Sequence, residues 1–159
     1  MKLIEILNYE GDIKWSSVGH QNKGDFIFDG KNGQIQIDEY EVLEKTLLDF
    51  GFTIDGSILA VNGKNPQNKI ISIVYNAAKT KLKQLDGDLI LVSVMKNSGL
   101  VDSRKSLYSS LARLIQRALG LVFDSDWVEN SNGFYRIWSK ENLSNEEVNL
   151  FISQVKEKD

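Results

Sequence analysis

The sequence predicts an α+β fold: a mixed or mainly antiparallel sheet with about four helices packed on it and β-hairpins near both ends. Three observations lead there. Glycine-bearing turns join short β-rich runs near each end, in FIFDGKNGQIQI and again where NSNG separates VFDSDWV from FYRIWS. DLILVSVM, residues 88–95, is nearly continuous apolar sequence, as in a strand buried on both faces. On either side of it lie long segments whose apolar residues recur at helical spacing.

The elements follow in order. KLIEILNY and DIKWSSV read as strands, and FIFDGKNGQIQI as a hairpin. There Asp29-Gly30 and Asn32-Gly33 tolerate positive φ, and Ile35 and Ile37 alternate with Gln34, Gln36 and Asp38. A helix is expected over 38–50. Asp38 and Glu41 have capping-box spacing, Tyr40, Leu43, Leu47 and Phe50 form one stripe, and Gly51 suits a left-handed terminus. TIDGSILAV reads as a short strand or small hairpin about Asp55-Gly56. Pro66, the single proline, can open a helix reaching Leu85, with Ile70, Val74, Ala77, Ala78 and Leu85 inward and Lys79 and Lys83 opposite. Asp86 and Asp88 flank Gly87 in a turn into the central strand. A helix follows over 102–119, capped by Asp102 or Ser103. After the second hairpin, Ser144 and Glu147 form a capping box, with Leu143 and Val148 at hydrophobic-staple positions. One domain spanning 1–159 is expected, with a candidate subdomain junction at 62–66 in the loop NGKNPQN.

Composition narrows the classes. Hydrophobic residues at 42% and charged residues at 26% exclude a disordered, collagenous or coiled-coil chain. Without cysteine there is no disulfide, thiolate metal site or cysteine nucleophile. No apolar run reaches the roughly 20 residues of a membrane span, and Glu5 interrupts the short apolar start, so no signal peptide is expected. A cytoplasmic protein is the simplest account, with neither membrane partner nor cofactor.

The charge is uneven. Residues 1–60 carry 5 basic and 11 acidic side chains, residues 61–120 carry 10 and 3, and residues 121–159 carry 4 and 8. The basic excess gathers in DSRKSLYSSLARLIQRALG. On a helical wheel, Leu107, Leu111, Leu114, Ile115, Ala118 and Leu119 cover one side, with Tyr108 and Ala112 at its margin. The opposite arc holds Lys105, Ser106, Ser109, Ser110, Arg113, Gln116 and Arg117, with no carboxylate. Lys105, Ser109, Arg113 and Arg117 form one i, i+4 ridge. Arg104 and Lys105 fall in the first turn, where the helix dipole disfavours cations by about 0.3–1 kcal/mol each. A phosphate at that turn would offset the penalty, and Lys96, Ser98 and Gly99 in the preceding loop could approach it. Two accounts stand: an anion-binding face at 96–117, or a solvated face paired internally with the acidic segments.

Other chemistry is sparse. His20, the one histidine, lies in the polar stretch VGHQNKGD, read as a solvated loop; a general base there would need a positioned partner. Asp124 and Asp126, with Glu129, have the spacing of a metal-binding pair on one strand face, or of ordinary turn acids. No glycine pattern of a phosphate loop is present, and DFG at 49–51 has no kinase context. Trp15, Trp127 and Trp138 with Phe134 and Tyr135 could stack on bases, most sharply where Phe134, Arg136 and Trp138 alternate; as strand aromatics they suit a core equally. Three functional readings result. The first is a non-catalytic binding or regulatory protein engaging a phosphate-bearing ligand, nucleic acid or nucleotide, through the basic helix. The second is a protein-interaction module of inhibitor, chaperone or immunity type, presenting an acidic N-terminal face. The third is a metal-dependent enzyme using Asp124 and Asp126.

Overall fold

A computed structural model describes residues 13–28, 30–54 and 66–156. The strand expected over 2–9, the turn residue Asp29, the Asp55-Gly56 turn and nearly all of the 62–66 junction lie outside the described residues. The fold is α+β, with a mixed, mostly antiparallel sheet of eight strands. In chain order the strands are β1 (Lys14–Val18), β2 (Gln21–Phe28), β3 (Lys31–Val42), β4 (Lys45–Ile54), β5 (Leu89–Met95), β6 (Phe123–Asp124), β7 (Val128–Glu129) and β8 (Gly133–Ser139). The helices among the described residues are three rather than about four: α1 (Pro66–Leu85), α2 (Val101–Leu119) and α3 (Asn145–Lys156). β1 to β4 form an antiparallel meander, β5 joins β4 in parallel, and β8 lies antiparallel on β5.

The missing helix is the one expected over 38–50. Those residues form the end of β3 and the start of β4, joined by a two-residue turn at Leu43 (φ 52°) and Glu44 (φ 65°). Successive positive φ values twist a tight hairpin in the sense its strands require. The apolar pattern misleads because this part of the sheet is covered on both faces. Leu47 and Leu48 are consecutive and both fully buried, so period-two alternation is erased. The residues spaced like a helix are then a subset of a longer apolar series. Asp38, expected as a cap, is a buried strand residue held by Gln36.

The two faces have separate cores. Ile35, Ile37, Leu48, Phe50, Phe52, Ile90, Val92 and Trp138 pack with the apolar sides of α1 and α2. Val42, Leu47, Leu89, Leu91, Tyr135 and Ile137 pack under α3. Strand β5 feeds both, with even residues to one core and odd residues to the other, which is why its sequence is apolar but for Ser93. Near the β2–β3 turn the ring of Phe26 lies over Gly33, and a Cβ there would meet that ring and oblige it to shift. The capping box of α3 forms as its sequence predicts. Glu147 N–H donates to Ser144 Oγ at 3.2 Å, and Ser144 N–H donates to Glu147 Oε1 at 3.0 Å. Among the described residues no helix is long and apolar enough to cross a membrane.

Between β4 and β5 the sheet opens. Their pairing covers only Leu47 with Leu89, Leu48 with Ile90 and Asp49 with Leu91. Beyond this, β4 stays with β3 up to Ile54, and β5 stays with β8 up to Met95. The result is a fork, and α2 crosses its mouth.

Candidate functional site: the fork in the sheet

The residues expected to bind an anion are divided among four settings. Lys96, Lys105 and Ser109 turn toward the β7–β8 hairpin. Lys105 Nζ stands 4.1 Å above the Phe134 ring and 5.8 Å from that of Trp127, and Lys96 pairs with Glu129 at 2.7 Å. Lys96 and Lys105 together hold the exposed Glu129 carboxyl below its ordinary range, the hydrogen bond from Lys96 contributing most. Ser109 Oγ accepts from Arg136 Nη1 at 2.8 Å and from Trp127 Nε1 at 3.3 Å. Ser98 Oγ donates to the Met95 carbonyl at 2.6 Å, and Gly99 has φ 76°. Arg113 and Arg117 are exposed and form no ion pair among the described residues. Arg104 alone enters the fork.

One expectation at this helix is corrected. Neither Asp102 nor Ser103 caps α2. Leu100 stands at the cap in the left-handed region (φ 52°), without a side-chain cap hydrogen bond. His20 is exposed in the two-residue turn between β1 and β2, its imidazole 5.4 Å from the Tyr40 ring centroid. Of the stretch read as a loop, only the part from Gln21 is strand, β2. A polar alternating strand reads as a loop when its outward residues are polar and glycine interrupts it.

Asp124 and Asp126 do not share a strand face. β6 and β7 both pair with β8, but the register between them slips by one residue, and Asp126 takes φ 58° in the resulting bulge. Arg136 occupies Asp124 with two hydrogen bonds, from Nε at 2.9 Å and Nη2 at 2.6 Å. Asp124 Oδ1 also accepts the Asp126 N–H at 2.8 Å. A fork-to-fork guanidinium–carboxylate pair of this kind uses both carboxylate oxygens. Among the described residues, no group of three or more His, Cys, Asp or Glu side chains is placed to hold a metal ion.

The fork holds a cavity of about 290 Å³. Tyr108 and Arg104, one turn apart on α2, reach it from the α2 side. Phe50 and Phe52 line it from the same side, while Asp38, Asp49, Gln36 and Ser93 project from the strand positions of the other face. Tyr108 is set rigidly, packing edge-on against Phe52 at 5.5 Å, Phe50 at 6.4 Å and Trp127 at 6.5 Å. Its phenol is hydrogen-bonded to the Phe52 backbone, and a Cβ on Gly51 would lie 3.6 Å from the hydroxyl. Burial pushes the phenol pKa well above its ordinary value. The nearby Asp49 adds to the rise, while Arg104 and the Phe52 hydrogen bond oppose it. The group is a neutral hydroxyl at any pH the fold experiences.

Arg104 is the anomaly of the site. Among the described residues its guanidinium forms no ion pair and no hydrogen bond, and its Nε is buried without a partner. Leaving such a donor unsatisfied costs about 1–3 kcal/mol. Sequence reasoning reached Arg104 through the helix dipole, but missed Asp38, Asp49, Ser93 and Tyr108. The available signal was the alternation of Gln34, Gln36 and Asp38 with Ile35 and Ile37. It reverses phase at Asp38–Glu39 and resumes as Tyr40 and Val42 alternating with Glu41, so that one strand passes from one core to the other with Asp38 beside the fork. Compared with protein-family models and with curated proteins, the chain matches none.

Proposed function

We propose that the chain is a non-catalytic binding protein that takes up a small ligand in the fork, through an anionic group, phosphate or carboxylate, received by Arg104. The supporting observation is the guanidinium itself, aimed into a cavity with a buried donor left unmatched. An anion entering there gains charge-assisted hydrogen bonds that water supplies poorly at a half-buried site. The term non-catalytic rests on what surrounds it. The Tyr108 phenol is hydrogen-bonded to the Phe52 backbone and its pKa is raised by burial, so it is not activated as a nucleophile. Nucleic acid, the broader form of the same idea, would engage the exposed Arg113 and Arg117 instead.

The test separates the two forms. Inorganic phosphate, acetate, adenosine monophosphate and a single-stranded oligonucleotide are titrated while the amide resonances of Gly51, Thr53 and Ser93 are followed. A fork ligand shifts these amides, loses about tenfold or more in affinity with Arg104→Gln, and is indifferent to Arg113→Glu with Arg117→Glu. Binding that survives Arg104→Gln, is abolished by the Arg113/Arg117 pair and falls steeply with salt would replace the fork by a nucleic-acid surface.

A further inference from the structure

We infer that the ligand of the fork is a zwitterion of amino-acid or dipeptide size, with its carboxylate on Arg104 and its ammonium on the Asp38–Asp49 pair. This deepens, and rests on, the assignment of Arg104 as the anion-receiving group.

The acids carry the new part. Asp38 and Asp49 are directly opposed across the β3–β4 ladder, so their side chains leave the same face at neighbouring positions. Like charges opposite one another destabilise an antiparallel pair. Asp38 is only 9% exposed, and a neutral amide donates to it, Gln36 Nε2, at 3.0 and 3.2 Å from its two oxygens. An ammonium beside the two carboxylates is attracted by both. A phosphate dianion gains at Arg104 but loses at the carboxylates, which disfavours a nucleotide. The opposite charges line one cavity of about 290 Å³, at the small end of ligand sites.

The strand edges specify the rest. Beyond Asp49 and Leu91, β4 and β5 do not pair with each other, so among the described residues their fork-facing edges keep peptide groups, apart from the Phe52 group bonded to Tyr108, that a guest can reach. An amide-bearing ligand can add to such edges in the way extended peptides add to sheets. The Tyr108 hydroxyl, fixed between the edges, can donate to or accept from the guest.

The experiment alters the ligand, so it does not depend on a variant that folds. The free amino acids as a panel and the dipeptide Ala-Ala, the latter also N-acetylated and C-amidated, are titrated against the intact chain, again following Gly51, Thr53 and Ser93. Inorganic phosphate and adenosine monophosphate serve as anion-only probes. The expected result is that a free amino acid or Ala-Ala shifts these amides, and that masking either terminus of the bound zwitterion weakens it about tenfold or more. Asp49→Asn should weaken the free form and leave the N-acetylated form unchanged. Preference for single amino acids over Ala-Ala, or the reverse, tells which of the two sizes fits. Equal affinity of free and N-acetylated Ala-Ala would overturn the inference. So would Arg104-dependent binding of phosphate or adenosine monophosphate without any zwitterion, an outcome that leaves the anion-binding proposal standing. No shift with any probe would overturn both.

Discussion

At the scale of single residues, the site is defined by one side chain that the fold keeps at a cost. Arg104 sits in the first turn of α2, where a cation opposes the helix dipole, and no capping side chain screens it. Among the described residues its Nε is buried without a partner. Replacement by methionine, similar in reach and free of donors, should therefore raise the stability of the unliganded chain by about 1 kcal/mol while eliminating fork binding. Urea unfolding with and without ligand measures both effects. A loss of stability on this substitution would mean that the guanidinium is structurally satisfied in solution, and the case for a ligand would go with it. Lys105 shows the contrast. It follows Arg104 directly in α2, but its ammonium lies over the Phe134 ring, so its charge is already engaged.

At the scale of elements, the β3–β4 hairpin decides the site, because it brings Asp38 beside Asp49. Its turn residues, Leu43 and Glu44, are poor at holding positive φ, and Leu43 is also exposed. Asn-Gly suits such a turn far better. The double substitution Leu43→Asn with Glu44→Gly should stabilise the chain by about 0.5–1 kcal/mol, read from the midpoint of thermal or urea unfolding. In a helix over 38–50 the same change would cost about 1 kcal/mol or more, chiefly through the glycine. The sign of the shift therefore distinguishes hairpin from helix.

At the scale of the whole molecule, the fork exists because one sheet serves two cores. The α1–α2 core draws the even residues of β4 and β5 to one side, the α3 core draws odd residues such as Leu47, Leu89 and Leu91 to the other, and the two strands pair only briefly between them. Tyr108 bridges the opening, tying α2 to β4. Its raised pKa has a direction for stability. The unfolded phenol ionises near 10, whereas the folded one resists ionisation, so stability is fully present below pH 10 and is lost as the pH rises above it. Wild type should thus unfold under strong alkali with a tyrosinate absorbance change that tracks loss of the folded signal. Tyr108→Phe should keep more of its stability between pH 10 and 12 relative to its own value at pH 8. Identical alkaline profiles for the two would show that the phenol is not buried in solution.

The sequence by itself determined the α+β class, the doubly buried strand β5, helices α1 and α2, and the capping box of α3. Each rests on local chemistry: a run of apolar residues, a periodic stripe, or a serine and a glutamate three positions apart. It also drew attention to Arg104 and Lys105 together at the start of α2, because the helix dipole is local. Only the tertiary structure decided that 38–50 is a hairpin, that Asp124 is bound to Arg136, and that the basic ridge divides among separate surroundings. These depend on which faces are covered and on a one-residue register slip, neither of which leaves a periodic trace. The fork belongs to this second kind, since where two strands part is set by the cores pulling them, more than forty residues apart in the chain at Asp49 and Leu91.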